Sequence, residues 1–382
     1  MQKITRRALA QIAAAAGALR AQEPSAYIGP LTGVDKKAEG RVLDPLPYAL
    51  RLVDAAPRQL RFSARNKAEA QKWQGRLRAK LTELVGGFPA KRSPLRPLTL
   101  EARDFGRYRR EKIIFASQDG VSVLAYILTP TNTRTPLPAV ICVPGHGRGV
   151  EDIVGIDDKG RDRTDKAGYQ HDFAIQIAEA GMAAVAIEPM GFGCRRDPAT
   201  IKRGLGRSSC QPVAGTALLL GQTMIGWRVY DVMRTIDLIA TRPELDASRV
   251  ACIGISGGGT CTVFAAALET RIQAALVSGY LNTFRDSIGS IAHCIDNYVP
   301  GILNWAEMYD VAGLIAPRPL FVESGRMDNI FPIEASVDSF NKVRAVYDVF
   351  GAGDRVEQEV FDKDHSFWGK KGIPFLARHL SA

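Results

Sequence analysis

The chain has 382 residues, 46% of them hydrophobic, and a formal net charge of +10. That apolar content supports a large buried core and excludes a disordered or fibrous chain. No basic run is interleaved with aromatics, so the positive charge reads as a solvated surface and not as a nucleic-acid interface.

Residues 1–21 have the layout of an export signal. Lys3, Arg6 and Arg7 precede a mildly apolar stretch, Ala8 to Leu19, with small residues near Ala18 and Ala21. Thr5-Arg6-Arg7-Ala8-Leu9 also resembles a twin-arginine signal. The stretch falls short of the ~20 apolar residues of a spanning helix, so a periplasmic or secreted protein with no integral membrane span is expected. Residues 22–57 are rich in Pro, Gly and charge and read as an extended arm. Arg58 to Val85 has helical periodicity, with Phe62, Ala70, Trp73, Leu77, Leu81 and Leu84 as an apolar stripe that Gly86-Gly87 ends. Residues 22–95 thus read as an arm and helix packed on a main domain over 96–382.

That domain opens with a run of strands, Leu98–Phe105, Tyr108–Ala116 and Val121–Leu128, with Gln118-Asp119-Gly120 as a turn. Strands at Ala139–Val143, Ala183–Ile187, Val250–Ile255, Ala274–Val277, Leu320–Glu323 and Val356–Phe361 then follow. Helices are expected among them at His171–Ala180, Leu218–Ala240, Gly259–Leu268, Ile333–Val349 and Ile373–Leu380. This alternation predicts an α/β fold: a mostly parallel central sheet, an antiparallel edge, and helices on both faces.

Gly254-Ile-Ser256-Gly-Gly258 fits Gly-x-Ser-x-Gly, and it falls between a strand and a helix. So sharp a turn forces the central serine into a strained conformation that lifts its hydroxyl clear of the sheet. A serine elbow needs a base, an orienting acid and an oxyanion hole. Asp328 follows the strand Pro319–Glu323 and is the candidate acid, with Glu323 as runner-up. His365, after the last strand, is the candidate base; the order Ser, Asp, His matches the pattern. Upstream, Val143-Pro-Gly-His146-Gly147-Arg-Gly149 reads as a turn whose amides face the reacting oxygen. Gly257 would supply one donor; His146 and Gly147 both stand as candidates for the other. Glu188, Arg195, Tyr298 and Trp305 are candidate pocket residues. The chemistry needs neither a metal nor an organic cofactor.

These residues resemble the α/β-hydrolase superfamily from about Phe105 to the C-terminus. Within it the chain is similar to the bacterial branch of dienelactone hydrolases and acetyl xylan esterases, through His293–Gly301 and Ala316–Gly325. Dienelactone hydrolase itself uses a cysteine nucleophile, whereas position 256 is serine. The resemblance implies ester hydrolysis of a small-molecule or carbohydrate ester. The alternatives are a serine peptidase or thioesterase of the same superfamily, or a non-catalytic binding protein on its scaffold. Cys142, Cys252 and Cys261 read as buried thiols. Disulfide pairing among Cys194, Cys210 and Cys294 is open, and no CxxC or Cys/His metal spacing is present.

Overall fold

Apolar runs of five to seven residues at the centre of the chain can be buried on both faces only in a parallel sheet covered by helices. The computed structural model, which describes residues 29–30, 35–131, 133–134 and 136–381, has that sheet. Its strands are β1 (Leu98–Asp104), β2 (Tyr108–Gln118), β3 (Val121–Pro130), β4 (Leu137–Val143) and β5 (Ala183–Ile187). They continue with β6 (Leu245–Ile255), β7 (Ile272–Ser278), β8 (Leu320–Gly325) and β9 (Val356–Phe361). The spatial order is β1-β2-β3-β5-β4-β6-β7-β8-β9. Pairs β1–β2, β2–β3 and β3–β5 are antiparallel, and the remainder are parallel. The expected parallel sheet with an antiparallel edge is therefore present.

Alternate residues of the strands feed two cores. Ala139, Ile141 and Val143 face helices 67–84, 224–239, 257–268 and 333–350. Val140 and Cys142 face helices 173–179 and 372–380. Helix 67–84 starts on the Asn66 cap, whose Oδ1 accepts from Glu69 N at 3.0 Å. Trp73, Leu77 and Leu81 bury one side of it, and the Trp73 indole donates to Leu60 O at 2.7 Å. Each such large apolar side chain contributes about 1.5–3 kcal/mol by leaving water.

The chain divides into a short unit, residues 1–51, and a main unit, 52–382, which holds the whole sheet. The expected export signal lies outside the described residues. The arm is not extended throughout: Pro45–Asp54 is a helix with Pro45 in its first turn and Asp44 accepting from Leu46 N at 2.9 Å. The single helix expected over 218–240 is two, Cys210–Leu219 and Met224–Ile239. Gly221 turns the chain at φ 68°, and Thr223 caps the second helix through Gly226 N.

The register places the carboxyl ends of three strands side by side. Ile255 pairs with Ser278, and Ser278 with Glu323. In open α/β sheets this end is where loops build sites. No helix among the described residues is long and apolar enough to cross a membrane.

Candidate active site

Ser256 leaves β6 at φ 57°, ψ −123°, and helix 257–268 begins at the next residue. A non-glycine residue in this region stores about 1–3 kcal/mol of strain, held by its surroundings. Two glycines make the turn possible. A β-carbon at Gly254 would stand 2.4 Å from Gly258 O, and one at Gly258 would stand 1.9 Å from Val143 O. Ser256 N donates to Ser278 O at 3.1 Å, and Ser256 O accepts from Thr260 N at 2.9 Å. The serine is thus tied to β7 behind it and to the first helical turn ahead, with its side chain at the helix N-terminus.

Asp328 sits in the loop after β8, buried, with every carboxylate contact neutral in charge or imidazole. Oδ1 accepts from Ile330 N at 2.8 Å and Phe331 N at 3.1 Å. Oδ2 lies 2.6 Å from His365 Nδ1. A carboxylate at that position fixes Nδ1 as the donor and leaves Nε2 as the acceptor. Nε2 is buried and has no hydrogen-bond partner among the described residues. The ring stacks between Tyr169 at 5.6 Å and Phe331 at 5.7 Å. It also lies against Gly279, leaving 3.0 Å between Cε1 and the place a β-carbon would take. Gly279 directly follows the residue that holds the Ser256 amide, so the ring stands beside the elbow.

Glu323 is occupied elsewhere. It is fully buried and accepts from Trp368 N and Gly369 N, both at 2.9 Å. Burial pushes its carboxyl up to about 7, against the pull of those amides. Its structural task is to hold the loop that carries His365.

The 143–149 turn presses on the serine: a β-carbon at Gly145 would stand 3.0 Å from Ser256 Cβ. Gln170 Oε1 accepts from Gly145 N at 2.8 Å, and Asp152 Oδ2 from Arg148 N at 2.8 Å. Tyr169 donates its hydroxyl to His146 O at 2.6 Å. The amides of His146, Gly147 and Gly257 have no acceptor among the described residues. Two of these amides lie on the turn and the third opens helix 257–268; they are the three singled out from sequence.

The four candidate pocket residues fare differently. Glu188 is not in an open pocket. It is fully buried and clamps two loops, accepting from Val150 N at 3.0 Å and Cys194 N at 3.4 Å. Burial raises its carboxyl to about 8, while those two amides pull the other way. Arg195 is also turned inward, 2.6 Å from Asp231 Oδ2 and 3.0 Å from Glu188 O. Trp305 packs on the core under the Lys80 ammonium, 4.4 Å from the ring centre, and its carbonyl accepts from Leu60 N. Tyr298 alone is exposed, with its hydroxyl on Ile288 O at 3.0 Å. A cavity of about 630 Å³ lies elsewhere, by the β2–β3 turn, lined by Arg92, Arg96, Gln118 and Asp119.

A second histidine neighbours the elbow. The His146 ring lies over Gly257 and 4.7 Å from Phe192. Its Nε2 is 3.3 Å from Asp296 Oδ2 and 3.7 Å from Cys210 Sγ. Cys210 Sγ is 3.3 Å from the same carboxylate oxygen, and Arg228 Nη1 is 2.6 Å from it. Burial alone would lower the imidazole; the Asp296 charge overrides it and raises His146 to about 9. Cys294 brings its sulfur into the same cluster, and its S–H lowers the Cys210 thiol, against the burial that opposes it. All six cysteines are free thiols. Cys194, the third pairing candidate, is exposed and lies by Glu188 instead. Sequence reading missed Tyr169, Phe331, Arg228 and Asp296 at the site. Only Asp296 had a signal, its place within the 293–301 segment that carried the resemblance.

A serine on a strained strand-to-helix turn, on a mostly parallel sheet, defines the α/β-hydrolase class. The profile of the abhydrolase family matches residues 49–371, and the chain belongs to that family. It is similar to the candidate hydrolase YtaP of Bacillus subtilis (strain 168), with 28% identity over 286 residues, 72% of this chain and 89% of that one. Among solved structures it is similar to a candidate acetyl xylan esterase from Bacteroides fragilis NCTC 9343. The TM-score there is 0.71 at 22% identity, over 84% of this chain and 83% of that one. A glucuronoyl esterase from Solibacter usitatus aligns at TM-score 0.61 and 16% identity, over 82% and 94%.

Proposed function

We propose that the protein is an exported carboxylic ester hydrolase that acts on a carbohydrate ester through an acyl-enzyme. The observation that carries this reading is the His365–Asp328 pair at 2.6 Å, with Nε2 buried and unpartnered and the ring packed on Gly279, next to the residue that holds the strained Ser256. In the first half-reaction Nε2 takes the Ser256 proton as Oγ attacks the ester carbonyl. The amides of Gly257 and of His146 or Gly147 hold the oxyanion, each donor lowering the barrier by roughly 2.7–4 kcal/mol. The alcohol leaves with the proton from Nε2. Water then attacks the acyl-serine, again giving its proton to Nε2, and the acid departs as Ser256 recovers its own. Asp328 stays ionised and stabilises the imidazolium between the two transfers.

The esterase names of the structural neighbours support an ester, and two of those names specify xylan acetyl or glucuronoyl groups. The test is fluorophosphonate labelling followed by a substrate panel of acetylated xylo-oligosaccharides, a glucuronoyl ester, short aryl esters and peptides. The reading predicts label on Ser256 and turnover of a carbohydrate ester above the peptides. A folded protein whose Ser256 takes no label would sink it.

A further inference from the structure

We propose that His146, Cys210, Cys294 and Asp296 form a tetrahedral zinc site that locks the oxyanion turn to the loops behind it. The four donors come from three separated segments, and their ligand atoms all lie within 4.8 Å of one another. Zinc takes nitrogen at about 2.0–2.1 Å, oxygen at about 2.0–2.2 Å and sulfur at about 2.3 Å, so its tetrahedron has edges of about 3.3–3.8 Å. Three of the six edges fall in that range: 3.3 Å from His146 Nε2 to Asp296 Oδ2, 3.3 Å from Asp296 Oδ2 to Cys210 Sγ, and 3.7 Å from Cys210 Sγ to His146 Nε2. The Cys294 sulfur lies within 4.8 Å of each of these atoms, so bound zinc would draw that fourth ligand inward. As a set of hydrogen bonds the cluster is crowded, because His146, Cys210 and Arg228 all converge on one carboxylate oxygen.

The surroundings fit a metal. Two thiolates with an imidazole and a carboxylate make a donor set that suits zinc over magnesium or calcium. Asp296 is oriented by Asn297, whose Nδ2 donates to Oδ1 at 2.8 Å, and Asn297 is held in turn by Thr260 at 2.6 Å. Arg228 reaches both Asp296 and, at 3.6 Å, Cys210 Sγ, while its guanidinium lies 4.4 Å from the Phe192 ring centre. Such outer donors orient and tune metal ligands. Zinc binding releases the protons of His146 and of the thiols; in that ligating state the charge of the two thiolates and Asp296 exceeds Arg228 by two, which one dication cancels. All four positions are filled by protein, so the site is closed and structural, with no place for a reacting water. Its effect on the reaction runs through His146: the ring that binds the metal is carried by the turn whose amides face the oxyanion.

The test is a titration of reduced, metal-stripped full-length protein with Co²⁺ alone. One equivalent should bind per chain, with the strong thiolate-to-cobalt charge-transfer and tetrahedral ligand-field bands, and one equivalent of Zn²⁺ should displace it. Cys210→Ser and Cys294→Ser should each halve the charge-transfer band, and the double variant should abolish it, while Cys194→Ser leaves it unchanged. Zinc at one per chain in protein purified without chelator would agree. The proposal is overturned by no stoichiometric uptake in wild type, by a pale octahedral cobalt spectrum, or by a Cys210–Cys294 disulfide that forms in the presence of zinc. None of these readouts depends on ester turnover, so they stand apart from the esterase test.

Discussion

Two histidines stand beside the elbow, and each is joined to a buried aspartate. His365 meets Asp328 at 2.6 Å through Nδ1, and His146 meets Asp296 at 3.3 Å through Nε2. The difference is what else each pair touches. Asp328 is satisfied by two main-chain amides and His365 by that one carboxylate, which leaves a ring nitrogen open. Asp296 is saturated by Arg228, Cys210 and Asn297, and His146 has a sulfur as well as an oxygen on the same nitrogen. One pair holds a vacancy for a proton; the other is a crowded knot of ligands. A His–Asp contact is therefore no sign of a general base until the far nitrogen has been traced.

The largest expected effect tests whether the vacancy serves the serine. Ser256→Ala should lower turnover by about 10⁶-fold and abolish fluorophosphonate labelling. Near wild-type activity would break the reading of the elbow. Next comes the contrast between the aspartates. Asp328→Asn should cost about 10⁴-fold in kcat, because the amide presents the wrong tautomer partner, with only a small change in Tm. Asp296→Asn should do the reverse. It leaves Arg228 charged and buried without its partner, at about 3–5 kcal/mol of stability, while the folded fraction keeps its proton relay. Equal losses of activity in the two variants would erase the distinction.

A smaller effect comes from Glu323, the acid that clamps the His365 loop. Its folded carboxyl is raised from 4.5 to about 7, so its contribution is complete below about pH 4.5 and is lost as pH rises through 7. Glu323→Gln can accept from only one of the two amides, which costs about 1–3 kcal/mol where the acid is protonated. Thermal unfolding should show the deficit largest at pH 5 and shrinking by pH 8. A constant deficit would mean the carboxyl stays ionised when buried. The smallest expected change is at the exposed Tyr298. Tyr298→Phe loses one partly buried hydrogen bond, about 0.5–1.5 kcal/mol. A rise in KM for a carbohydrate ester but not for a small aryl ester would place this ring at the substrate.

The sheet and the elbow could be read from sequence because their causes are local. Apolar runs such as Ala183–Ile187 have no other stable place, and Gly254, Ser256 and Gly258 are spaced by the turn itself. The same holds for the loops after β8 and β9 that carry Asp328 and His365. The cluster around Asp296 gave no spacing because its members, 146, 210, 228, 294 and 296, meet only once the sheet has formed. The acids Glu188 and Glu323 were legible as residues near the site but not as clamps. Whether a carboxylate at a strand end points to solvent or to buried amides depends on the loop opposite, which local pattern does not encode. The break at Gly221 was a missed signal: a glycine and, two residues later, a Thr cap end one helix and start another.

Tyr169 stacks its ring on His365 and donates its hydroxyl to the carbonyl of His146. One rigid side chain thus acts as a calliper, setting how far the His365 ring stands from the 143–149 turn. Its length is that of a phenol and cannot be adjusted by rotamer. A change at this position would therefore move the His365 ring and the 143–149 turn relative to each other.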